Sequence, residues 1–86
     1  MRVHVVFSGR SYDAAEALPD WLALPDGAGV NEALHALAGL MPEGKGLPKS
    51  CLVAVSGKHL GTVGTHRAHA LRDSEELVLI APVAGG

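Results

Sequence analysis

The run Leu77-Val78-Leu79-Ile80-Ala81 constrains the fold more than any other feature of this chain. It is bounded by the polar stretch Arg72-Asp73-Ser74-Glu75-Glu76 on one side and by Pro82 on the other. Five apolar residues without a polar break read as a strand buried on both faces. Even counted to Ala84, the run is far short of the ~20 residues needed to span a bilayer. The chain has 86 residues, enough for one domain and no second. The residues before the run must therefore supply the rest of its sheet. Apolar residues make up 48% of the chain and aromatic ones only 3%, so the core must be aliphatic.

The preceding residues divide into short elements. In residues 2 to 7, Val3, Val5 and Phe7 recur at period two, which predicts a strand. Ser8-Gly9-Arg10-Ser11 supplies loop chemistry, and the Ala-rich residues 12 to 19 fit a short helical turn stopped by Pro19. Trp21 to Leu24 reads as a second strand, closed by the turn signal Pro25-Asp26-Gly27 and paired with the first as a hairpin. Val30, Leu34, Leu37 and Met41 fall at i, i+4, i+7 and i+11, with Ala33 and Leu40 beside them. That spacing predicts a helix over 30–40 with one apolar stripe. Asp26 or Gly29 supplies its start, Glu32 suits its positive end, and Pro42 stops it. Residues 43 to 50 are a loop by composition. Cys51, Val53 and Val55 share one face of a further strand, and Ser56-Gly57 begins a turn. Residues 58 to 70 have weak periodicity and fit one short edge strand with irregular structure.

The order strand–strand–helix–strand–strand–strand is that of an α+β domain of β-grasp (ubiquitin-like) type. It predicts a mixed sheet of four to five strands with one main helix packed across it. The last strand would lie beside the first at the sheet centre. The domain would occupy residues 1–81, leaving 82–86 as a flexible tail.

Composition removes several classes of function. The net charge is −2, and the seven Lys and Arg are scattered with no two adjacent. Nucleic-acid binding is not expected, because phosphate neutralisation needs clustered cations. A single cysteine, Cys51, cannot form an internal disulfide and fits a reducing compartment. Strand-like residues follow Met1 directly, so no secretory leader is expected. Together these predict a cytoplasmic protein.

The end of the chain carries a family signal. Asp73-Ser-Glu-Glu-Leu-Val-Leu-Ile-Ala-Pro-Val-Ala-Gly-Gly86 resembles the C-terminus of the molybdopterin synthase small subunit: an acidic turn, an apolar strand, then Pro-Pro-Val-Ala-Gly-Gly. Leu24-Pro25-Asp26-Gly27-Ala28, followed by Val30 and Ala33-Leu34, is similar to that family's approach to its helix. Val53-Ala-Val-Ser-Gly57 resembles its Val-Ala-Val-Asn-Gly hairpin. The chain departs from the pattern at Ser74 (turn glycine), Ser56 (hairpin asparagine) and Ala81 (first proline). Serine at a turn site needing positive φ is strained.

This resemblance implies a sulfur carrier. An E1-like adenylating enzyme would activate the Gly86 carboxylate with ATP. A persulfide sulfur would then displace AMP, leaving a thiocarboxylate. The loaded tail would enter the large catalytic subunit of molybdopterin synthase, within a heterotetramer, and pass its sulfur to cyclic pyranopterin monophosphate. The chain itself would bind no cofactor and would not be catalytic alone. Gly85 and Gly86 lack a Cβ, which lets backbone thread a narrow site. Pro82 ends strand pairing. Four residues beyond it reach roughly 13 Å when extended. Pro82, Val83 and Ala84 would lie against the partner. Leu79 and Ile80 are docking candidates if they border an exposed apolar patch; otherwise they are core. Alternatives keep the carrier chemistry for thiamine, cysteine or tRNA thiolation, make Gly86 the conjugating end of a ubiquitin-like modifier, or leave a plain interaction domain.

Other candidate sites are weaker. His4, His35, His59, His66 and His69 have no cysteine pair or carboxylate completing a zinc set, so no metal is expected and solvated surface histidines are the better reading. Cys51 begins an apolar strand and reads as a buried, inert thiol. Gly57, Gly61 and Gly64 lack the Gly-Lys-Ser/Thr ending of a phosphate loop, so ATP would have to be held by the partner.

Overall fold

The computed structural model describes residues 1–8, 19–40 and 49–81. Its elements follow the expected order: β1 (Arg2–Ser8), β2 (Trp21–Ala23), α1 (Val30–Gly39), β3 (Leu52–Val55), β4 (Lys58–Thr62) and β5 (Glu76–Ile80). The domain is α+β, with one mixed five-stranded sheet in the order β2-β1-β5-β3-β4. β5 pairs in parallel with β1, from His4 opposite Glu76 to Ser8 opposite Ile80. It pairs antiparallel with β3, from Leu52 opposite Ile80 to Val55 opposite Leu77. The last strand thus sits in the middle of the sheet, between the first and third.

Strand alternation sorts the side chains. Val3 and Val5 of β1, Leu22 of β2, Val53 and Val55 of β3, Leu60 of β4, and Leu77 and Leu79 of β5 are buried. They form one cluster with Val30, Ala33, Leu34 and Leu37 of α1. The predicted helix stripe is therefore the face packed on the sheet. Leu40, placed beside that stripe by spacing, is instead 50% exposed, because the helix ends at Gly39 and Leu40 is its C-cap. Met41 lies outside the described residues.

The reading of β5 as buried on both faces needs correction. Leu77 and Leu79 are buried, whereas Val78 and Ile80 are only half-buried. Among the described residues the one helix, α1, packs on one face. Among the described residues no element lies over the other face, so alternate residues of an unbroken apolar run remain partly open to solvent.

Turn chemistry closes the elements. Ser56 and Gly57 both have positive φ, 49° and 85°, as a two-residue type I′ hairpin turn requires. Between β3 and β4 the register slips at Val53/Ala54, so that Val53 faces Gly61 and Ala54 faces His59. Leu60 is the extra residue of this bulge, and its side chain enters the core. A Cβ on Gly61 would lie 2.5 Å from the Thr65 carbonyl oxygen, which leaves room for glycine only. Helix α1 starts at Gly29, whose N–H donates to Glu32 Oε2 at 2.9 Å. The strap after β4 completes this end: Val30 N–H donates to the His69 carbonyl at 2.9 Å and Leu71 N–H to that of Ala28 at 2.9 Å. Of the two starts proposed from sequence, Gly29 is the one used.

Candidate functional site

The expected working residues Pro82, Val83, Ala84, Gly85 and Gly86 lie outside the described residues. What is described is their root. Ala81 is buried, and its N–H donates to the Ser8 carbonyl at 2.9 Å. Ile80 is flanked by Ser8 on β1 and by Leu52 on β3, and Leu52 in turn faces Thr62 on β4. None of these four side chains is ionisable. The root can fix where a tail leaves the sheet, and among the described residues its only polar side chains are the hydroxyls of Ser8 and Thr62.

The two docking candidates separate cleanly. Leu79 is 0% exposed and belongs to the core beneath α1. Ile80 is half-buried and stands on the opposite, open face. By register that face also carries Val6, Val78, Ala54 and Leu52, the last 40% exposed. Sequence alternation within β5 separates Leu79 from Ile80. It could not say which was covered, because both are equally apolar.

The open face carries a second feature at its other end. His4 lies opposite both Trp21 and Glu76. Its ring is 4.9 Å from the indole by centroids, and its Nδ1 is 3.8 Å from Glu76 Oε2. The Arg2 guanidinium sits 5.0 Å over the same indole. The period-two spacing of Arg2 and His4 was visible in the sequence. Their meeting with Trp21 depends on strand register and was not.

Glu75 gathers a third group. Its carboxylate accepts from Arg72 N–H at 2.7 Å and from Ser56 Oγ at 3.1 Å, and lies 3.8 Å from His69 Nε2. Here the carboxylate stands between hydroxyl and imidazole. Nucleophilic catalysis needs the imidazole next to the hydroxyl, so this cluster ties loops together. It joins the β3–β4 turn, the strap and the turn before β5.

The remaining candidates are structural. Cys51 is buried, and burial pushes its thiol above the ordinary value against a smaller opposing effect of a hydrogen bond with the Ile80 backbone. No group of three or more His, Cys, Asp and Glu side chains is placed to hold a metal among the described residues. Among the described residues, shallow hollows lie on either side of α1, two of them lined in part by helix residues. The larger, about 290 Å³, lies at the helix start between Glu32 and His69, and the smaller, about 200 Å³, lies between His35 and Val63. Neither is lined by a β5 residue. Among the described residues no helix is long and apolar enough to cross a membrane.

No family model, curated protein or solved structure matches this chain.

Proposed function

We propose that this protein is a β-grasp sulfur carrier whose working group is the C-terminal carboxylate of Gly86, and that it serves as the small subunit of a molybdopterin synthase. The observation that carries the reading is the position of β5. The strand directly before Pro-Val-Ala-Gly-Gly is held at the sheet centre by β1 and β3, and tethered just past its last residue by the Ala81–Ser8 hydrogen bond. A terminus rooted this way leaves the domain from a fixed point and can be threaded into another protein's site.

The chemistry is what the resemblance of the Pro82–Gly86 end to sulfur carriers implies. A free carboxylate is a poor acyl donor, and the root carries no group able to activate it. On this reading an E1-like partner adenylates Gly86 with ATP. A persulfide sulfur displaces AMP, and a thiol cleaves the resulting sulfur–sulfur bond to leave the thiocarboxylate. The large synthase subunit then receives the tail. Docking falls to Ile80 and its open-face neighbours Leu52 and Val78, and not to Leu79, whose side chain is committed to the core. An apolar patch at the foot of the tail lets face docking and tail entry occur together.

The test is intact mass after incubation with ATP, a persulfide donor and a candidate activating enzyme from the same cell. A mass rise matching replacement of one oxygen by one sulfur, absent when Gly86 is deleted, is expected. Higher-mass conjugates that disappear with Gly86 would instead establish a ubiquitin-like modifier. A folded sample that gains no sulfur from any plausible activating enzyme would overturn the carrier reading.

A further inference from the structure

We draw no further inference here: the strongest candidate, the open face of the sheet running from Trp21 and His4 to Ile80 and Leu52, belongs at its tail end to the docking surface already described, and at its Trp21 end nothing in the structure shows what covers it.

Discussion

The Asp73 carboxylate accepts the backbone N–H of Arg2 at 2.8 Å, joining residues 71 apart in sequence. Ser74 N–H returns a hydrogen bond to the Arg2 carbonyl at 2.7 Å, so both backbone groups of Arg2 are held by one turn. This turn feeds β5 into place beside β1. The Arg2 amide is the main reason the Asp73 carboxyl is held below the ordinary carboxylate value; desolvation opposes it, and the Met1 ammonium, the Ser74 hydroxyl and the Arg2 charge add to it. A carboxylate whose folded value is depressed contributes stability above its unfolded value, near ~3.9, and loses it as pH falls through the folded value. Asp73→Asn should therefore flatten the acid limb of a stability–pH curve measured by urea unfolding. Because Asp73 is fully exposed, the change should be small. An unchanged acid limb would show that the bond contributes nothing to stability.

Leu79 and Ile80 give a paired test of the sheet's two faces. Leu79→Ala should destabilise by about 2–5 kcal/mol, because it empties a fully buried position. Ile80→Ala should cost nearer ~1 kcal/mol, in the ordinary range for a partly covered side chain. On the carrier reading Ile80→Ala should also weaken binding to the large subunit by about tenfold or more, as truncating a side chain at an interface centre does. Chemical denaturation and a titration against the partner separate the two effects. Equal stability losses would mean the open face is covered in solution.

Ser74 has a φ of 68° in the turn before β5. A non-glycine residue there is disfavoured by about 1–2 kcal/mol, while glycine costs ~0.5–1 kcal/mol of chain entropy. Ser74→Gly should therefore stabilise by up to about 1 kcal/mol, read as a higher melting temperature. The Ser74 hydroxyl that this removes approaches Asp73 Oδ2 at 3.5 Å, too far to stabilise the turn much. A lower melting temperature would show that this hydroxyl matters more than the backbone strain.

Cys51 should resist alkylation in the native protein. Its side chain is buried and its thiol is held above the ordinary value, so little thiolate is presented. Labelling by iodoacetamide should follow the unfolding curve in urea. Fast labelling without denaturant would place Cys51 on a frequently opened part of the sheet.

The legible part of the fold is what local patterning encodes. Period-two spacing at Val3 and Val5, the stripe through Val30, Leu34 and Leu37, and the Ser56-Gly57 turn all appear as expected. The strain suspected at Ser74 is present as a positive φ. What local pattern could not encode was the number of covered faces. Val78 and Ile80 are as apolar as Leu77 and Leu79, and among the described residues what distinguishes them is that α1 packs over the face carrying Leu77 and Leu79. The meetings of His4 with Trp21, and of Ser56 and His69 with Glu75, depend on register or loop closure between distant residues. Of the candidate site, the sequence names the tail, while the structure describes only its anchor.

The central position of β5 has a consequence for the order in which this chain can fold. Remove Glu76–Ile80, and the β1–β2 and β3–β4 pairs have no common neighbour in the sheet. The two pairs therefore join into one sheet only when β5 is in place between them, and long-range pairing of this kind is slow to form. On the carrier reading, an activating enzyme that recognises the assembled sheet would load only folded copies, because β5 joins the two strand pairs and leads directly into the Pro82–Gly86 segment.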